Sequence, residues 1–253
     1  MLLSHKHKLV ILLPWKSASQ TLRARLKHIN QSPYSEFFDF NPYLNRVVNQ
    51  HLTLADYLAL PESRLNYRLA VFIRNPYDRV YSGFKQLFFD VNNQPTFKFP
   101  EPWIRDLVTR QLGDNFAMLC KAQFNVNAWF MQLPTSYLLE TGRDSNFSLH
   151  PAHYWTHWNG SKVADFVGRV EHFEEDFERM CLEYGIEASS KKNANQSADS
   201  NLTPDPHGYR HTSRLHPHVI ARINELFSAD FQYFGYEKIS GLGPHSQAAN
   251  GAT

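Results

Sequence analysis

The sequence predicts an α/β protein, a three-layer domain around a central, mainly parallel sheet. Short, wholly apolar runs at Leu9 to Leu13 and Leu69 to Ile73 have the character of parallel strands buried on both faces. Each is followed by a segment of helical periodicity and not by a hairpin turn. A third strand-like run within Lys162 to Gly168 precedes another helical segment in the same order.

The elements follow along the chain. Leu9 to Pro14 is a strand bounded by Pro14, and Ala18 to Ile29 is a helix with Leu22, Leu26 and Ile29 at helical spacing. Residues 30–50 mix Asn, Pro, Ser and aromatics and read as an irregular stretch able to line a substrate cleft. His51 to Leu60 fits a strand or a short helix. After the strand Leu69 to Ile73, Asn75 as N-cap, Pro76 at N1 and Asp78 at N3 mark a helix start. Tyr77, Val80, Tyr81, Phe84, Leu87 and Phe88 form that helix's apolar face. Residues 91–100 break the pattern, Ile104 to Leu119 reads as helix, and Ala122 to Met131 continues the helical layer. Ser136 to Leu139 reads as a short strand, Phe173 to Tyr184 and Val219 to Phe227 as helices. Residues 187–206, rich in Ser, Asn, Lys and Asp, read as a mobile loop, and 240–253 as a disordered tail. Residues 1–239 are expected to form a single domain without internal repeats.

Composition narrows the function. A chain of 253 residues with 42% hydrophobic content can bury a sizeable core. Its 26 basic and 24 acidic residues nearly balance, so no nucleic-acid partner is expected and any anion site must come from local placement. Cys120 and Cys181 give no disulfide scaffold. No segment reaches the roughly 18 apolar residues of a membrane span, and Leu9 to Leu13 is shorter than the roughly 7 to 15 residues of a secretory core. The chain therefore reads as cytoplasmic unless an anchor precedes it.

Two segments have the make-up of phosphate grips. In the first, Lys16-Ser17-Ala18-Ser19-Gln20-Thr21, a turn after a buried strand gathers backbone amides and three hydroxyls around one point, with a lysine beside them. A helix start adds unpaired N–H groups and the positive end of its dipole. Read alone, the segment fits a phosphate or sulfate as well as it fits an ordinary strand–helix turn with a solvated lysine. In the second, Arg74 ends a strand, Arg79 lies one turn into the helix and Ser82 follows. Arg74 then faces the carboxyl edge of the sheet, where open α/β folds bind ligands. Arg79 fits equally a solvated pair with Asp78, Asp90 or Glu62. Two grips imply a ligand with phosphates at two positions. The GxxxxGK loop of ATP-type sites and the GxGxxG dinucleotide fingerprint are both missing, which counts against a kinase, a GTPase or a nicotinamide enzyme.

Together these segments resemble the sulfotransferases that use 3′-phosphoadenosine 5′-phosphosulfate (PAPS). Lys16 to Thr21 is similar to their 5′-phosphosulfate loop, and Arg74 to Phe84 to their 3′-phosphate segment, RxPxxRxxSxY in form. Asp165-Phe166-Val167-Gly168-Arg169-Val170-Glu171 with Glu175-Asp176-Phe177 resembles a stretch of the carbohydrate-type, family-2-like branch. Asp230-Phe231 with Phe234-Gly235-Tyr236 resembles that branch's C-terminus. The likeness runs from about Leu9 to Tyr236.

The resemblance implies a P-loop-NTPase-like sulfotransferase fold and transfer of a sulfuryl group from PAPS to a hydroxyl, most naturally on a carbohydrate. It implies that Lys16 contacts the 5′-phosphate and the bridging oxygen that leaves with it. Ser17, Ser19 and Thr21 with their amides would hold sulfuryl and phosphate oxygens, with Ala18 and the backbone N–H of Gln20 in the same loop. Arg74 and Ser82 would hold the 3′-phosphate. Gln20 departs from the hydroxyl residue usual at its position. Arg210 and Ser213, in a segment similar to the family's N-x-S-x-h element, would close over the nucleotide. His51 lies in the interval where related carbohydrate sulfotransferases place a base. His150 and His153, among aromatics able to stack on a sugar or adenine, are the other candidates, against a surface or capping role for each. Arg169 and Glu171 are expected to pair and anchor the third strand. No Cys/His cluster has zinc spacing, so no metal is expected. The rival readings are a nucleotide- or polyanion-binding protein without turnover, and a small-molecule or nucleotide kinase.

Overall fold

The structure is a computed structural model that describes residues 1–34, 37–90, 94–95, 102, 109, 112–113, 116–122, 124–140, 149–188 and 203–240. Most of the expected break at 91–100, most of the helix at 104–119, the core of the loop at 187–206 and nearly all of the tail lie outside the described residues. The chain divides into two compact units, Met1–Arg74 with Ser136–Asn201 and Asn75–Thr135 with Leu202–Thr253.

The first unit is built on a four-stranded sheet. Its strands are β1 (Leu2–Ser4), β2 (Leu9–Leu12), β5 (Arg68–Ile73) and β8 (Phe166–Arg169), in that spatial order. β1 pairs antiparallel with β2, whereas β2–β5 and β5–β8 are parallel. The mixed α/β class with a mainly parallel sheet is therefore as the sequence predicts. Leu9, Ile11 and Leu13 of β2 and its end alternate with Val10 and Leu12, and both sets are buried. That two-sided burial is why the strand reads as a continuous apolar run.

Helices α1 (Ser19–Leu26) and α7 (Phe173–Tyr184) close one face of the sheet. Leu22 and Leu26 of α1 and Phe177, Met180, Cys181 and Tyr184 of α7 share a core with Leu9, Ile11, Ala70, Phe72 and Phe166. Arg25 staples the two helices. Its guanidinium is 2.7 Å from Glu174 and lies 3.8 Å from the centre of the Phe177 ring. Gly168 lets β8 pass Phe72, since a Cβ there would stand 2.6 Å from that ring. The Asp165 carboxylate accepts the Leu69 N–H at 2.7 Å and extends the β5–β8 pairing by one residue. Asp176 accepts the Arg169 N–H at 2.6 Å and so fixes the end of β8.

Four segments of this unit refine or differ from the sequence reading. Residues 30–50 hold a hairpin, β3 (Asp39–Asn41) against β4 (Arg46–Val48). Its turn is set by the Asn41 side chain, which accepts the N–H groups of Tyr43 and Leu44, and by Asn45 in the left-handed region. The ambiguous 51–60 segment is helix α2 (Leu54–Ala59), because Thr53 and Asp56 form a reciprocal capping box. The 162–168 run splits. Lys162 ends the small hairpin of β6 (His157–Trp158) and β7 (Ser161–Lys162), and the strand proper begins at Phe166.

Ser136 to Leu139 is not a strand. It belongs to helix α6 (Thr135–Leu139), extended by the Glu140 N–H bonding to the Ser136 carbonyl at 2.8 Å. Three apolar residues are too few to distinguish the two periods.

The second unit is helical among its described residues. It contains α3 (Pro76–Phe88), α4 (Phe116–Lys121), α5 (Val126–Gln132), α8 (Pro217–Leu226) and α9 (Ser228–Phe234). Asn75 caps α3 as predicted, accepting the Asp78 N–H at 2.8 Å, and all six residues of the expected apolar face are buried. Phe84 and Phe88 pack on Trp129, and Phe88 stacks on Phe124 at 5.2 Å. Arg222 of α8 donates to the Phe130 and Leu133 carbonyls, which satisfies the end of α5. Arg79 does not sit on a solvated face. It is 1% exposed, and burial pushes its pKa down to about 10 against the opposing charge of Asp230. Burial on α3, with the charge of Asp230 on α9 acting on it, replaces the expected solvated pairing.

Candidate active site

The site grows from the carboxyl ends of β2 and β5. The two strands are parallel neighbours, with Leu12 in register with Val71, so the residues that follow them emerge side by side at one sheet edge. Lys16 follows the first and Arg74 the second. The structure thus brings together the two cations on which the sequence reading depends. Lys16 is only partly exposed, and its pKa falls from 10.5 to about 7, mainly through burial and further through the charge of Arg74. Holding two cations together costs free energy in the free protein, which an anion between them would recover.

The turn between β2 and α1 has a backbone able to receive an anion. Lys16 at φ 65 and Ala18 at φ 58 occupy the left-handed region, with Ser17 between them on the other side of zero. Left-handed backbone costs a non-glycine residue roughly 1–2 kcal/mol. Strain of this kind collects at ligand-binding turns, and a backbone of alternating hand turns successive N–H groups toward one point. The Ser17 N–H is held by the Pro14 carbonyl at 3.3 Å, and the α1 helix opens at Ser19. The Ser17 hydroxyl is fully buried and has no hydrogen-bond partner among the described residues. Ser19 is buried, Thr21 half-buried and Gln20 exposed. A buried hydroxyl without a partner costs about 1–3 kcal/mol, so this atom fits an absent oxygen-rich ligand.

His51 lies against the same turn. It is 3% exposed, and its Nδ1–H donates to the Leu13 carbonyl at 2.6 Å, which leaves Nε2 as the basic atom of the neutral ring. Its titration departs from the ordinary imidazole value of about 6.5. Burial pushes its pKa down to about 3, the Leu13 bond opposes this, and the charges of the chain's amino terminus, Lys16 and Arg23 lower it further. Arg23, buried on α1 one turn after Ser19, thereby joins the cationic cluster. Sequence reasoning passed over it, although its spacing from Ser19 is the signal that could have found it.

His150 is buried and donates Nδ1–H to the Leu138 carbonyl at 2.8 Å, while His153 is partly exposed with its ring edge-on to Tyr154. In the second unit Ser82 is partly exposed on α3, and Arg210 and Ser213 are exposed. Among the described residues no group of His, Cys, Asp and Glu is arranged to hold a metal ion, and no helix is long and apolar enough to cross a membrane.

The family model described as the Sulfotransferase family matches residues 1–237. The chain belongs to that family. Its place is in the family-2-like branch, as the Asp165 to Phe177 stretch implied. Comparison of this sulfotransferase with curated proteins and with solved structures found no match.

Proposed function

We propose that this sulfotransferase moves the sulfuryl group of PAPS to a hydroxyl of a carbohydrate acceptor. The observation that carries the reading is the strained Lys16–Ala18 turn, with its buried, unpartnered Ser17 hydroxyl, set beside Arg74 at the ends of adjacent parallel strands. Lys16, Ser17, Ser19 and Thr21, with the amides of Ala18 and Gln20, would hold the 5′-phosphosulfate. Arg74 and, by the same resemblance, Ser82, Arg210 and Ser213 are assigned to the 3′-phosphate and nucleotide.

The donor supplies an activated sulfuryl group, which passes to the acceptor oxygen as its bond to the 5′-phosphate breaks. Lys16, as an ammonium, stabilises the negative charge that grows on the departing phosphate oxygen, and the turn's amides do the same without reorganising. His51 takes the acceptor proton at Nε2. Its pKa of about 3 in the free protein makes it a weak base, and phosphate charge offsetting Lys16 and Arg23 raises its basicity. Asn49 Nδ2 and Gln50 Oε1, on the residues before His51, are buried with no hydrogen-bond partner among the described residues and offer one donor and one acceptor suited to sugar hydroxyls.

The second reading is a nucleotide-binding protein without turnover, favoured by the exposed Gln20 in the loop and the low pKa of His51. Two measurements separate the readings. Thermal stabilisation by adenosine 3′,5′-bisphosphate but not by ATP supports the PAPS site. Transfer of radiolabelled sulfuryl to a panel of glycans supports the enzyme, and stabilisation without transfer to any hydroxyl compound supports the binder.

A further inference from the structure

His211, one residue past Arg210, played no part in the sequence reading. It is 4% exposed, and its ring stacks on Tyr81 of α3 at 4.4 Å between centroids, with the planes 17° apart. Its Nδ1 lies 2.9 Å from Asp78 Oδ1. The same carboxylate accepts the backbone N–H groups of His211, at 2.9 Å, and of Arg210, at 3.1 and 3.2 Å, as well as the Asn75 Nδ2–H at 2.8 Å. A carboxylate receiving that many donors is itself an acceptor, so His211 Nδ1 carries the proton that joins them.

Asp78 and Ser82 stand one turn apart on α3, hence on the same side of the helix, with Tyr81 beside them. The backbone of Arg210 is bonded to the first, and the ring of His211 rests on the third. Arg210 itself is exposed, and an exposed arginine samples many positions unless its backbone is fixed.

We propose that Asp78 and His211 are positioning residues that hold Arg210 on the Ser82 side of α3 as a ligand of the donor's 3′-phosphate. This rests on the reading that a 3′-phosphorylated nucleotide is bound. Neither residue touches the nucleotide. Asp78 gathers the 210–211 backbone, and the stacked imidazole locks it in one register.

The test compares affinities for adenosine 3′,5′-bisphosphate and adenosine 5′-monophosphate, which differ only in the phosphate at issue. Wild-type protein prefers the bisphosphate. His211→Ala should lose about tenfold of that preference while its affinity for the monophosphate stays within about twofold. His211→Asn, whose amide nitrogen can replace Nδ1 toward Asp78, should recover most of the loss. Arg210→Ala should lose the preference by itself, and adding His211→Ala to it should cost nothing more. Equal loss for both nucleotides in His211→Ala would mark a merely structural residue and overturn the proposal. So would additive effects in the double variant. If His211→Ala does not fold, Arg210→Ala, at an exposed position, decides, since an unchanged preference there also overturns it. Wild-type protein without any preference would instead sink the underlying nucleotide reading.

Discussion

Raising the pH from 7 to 9 should weaken binding of adenosine 3′,5′-bisphosphate about fiftyfold, through Lys16 alone. Burial and the charge of Arg74 lower the Lys16 pKa to about 7 in the free protein. Half of the molecules then carry the ammonium at pH 7 and about one in a hundred at pH 9. An anion in the turn needs that ammonium, so binding at the higher pH must take up a proton. The ratio of the two populations corresponds to about 2.3 kcal/mol. His51, with a pKa of about 3, is neutral throughout, and phosphate monoesters complete their ionisation near pH 6. Titration calorimetry in buffers of different ionisation heat reads both quantities. Uptake should approach one proton at pH 9, and Lys16→Arg, which keeps its charge, should flatten the dependence. Flat affinity between pH 7 and 9 with no proton uptake in the wild type would refute the reasoning.

Three further outcomes follow from single groups. Ser17→Ala should leave thermal stability unchanged or raise it by up to about 1 kcal/mol, since it removes a buried orphan hydroxyl, yet weaken bisphosphate binding about tenfold. Loss of stability with unaltered binding would count against a ligand role. Gly168→Ala should cost about 1–3 kcal/mol in denaturant unfolding, because its Cβ meets the Phe72 ring, itself held by Phe166 and Phe173. A neutral effect would show that the ring yields freely. His51 is held neutral in the fold, so between about pH 6.5 and 3 the unfolded chain binds the extra proton. Stability should therefore fall as the pH drops through that window, by up to about 1.4 kcal/mol per unit from this group. His51→Asn should lessen the slope, and an unchanged slope would contradict the burial argument.

Strands β2 and β5 and the strand–helix turn at Lys16 were legible because they depend on local chemistry. Leu9 to Leu12 has no polar residue to confuse its period, and Asn75-Pro76 announces a helix in two residues. The hairpin at 39–48 was hidden because its turn depends on the Asn41 side chain and a left-handed Asn45, neither marked by glycine. Thr53 and Asp56 carried a capping-box signature that resolves the 51–60 ambiguity, but Asp stands where Glu is usual. The pairing of Lys16 with Arg74 followed from strand order. The lowered pKa of His51 could not, since it depends on Leu13, Lys16 and Arg23 meeting around one ring. Asp78 looked like a cap residue or a solvated partner for Arg79. Its grip on Arg210 and His211 joins positions far apart in the chain, beyond the reach of any local pattern.

The most direct measurement is steady-state sulfuryl transfer from labelled PAPS by wild-type and Lys16→Ala protein, with a glycan acceptor and both substrates varied. Lys16 acting on the leaving oxygen predicts that kcat falls about 100- to 1,000-fold while KM for the donor changes less than about tenfold. A variant with near-wild-type kcat would contradict that account.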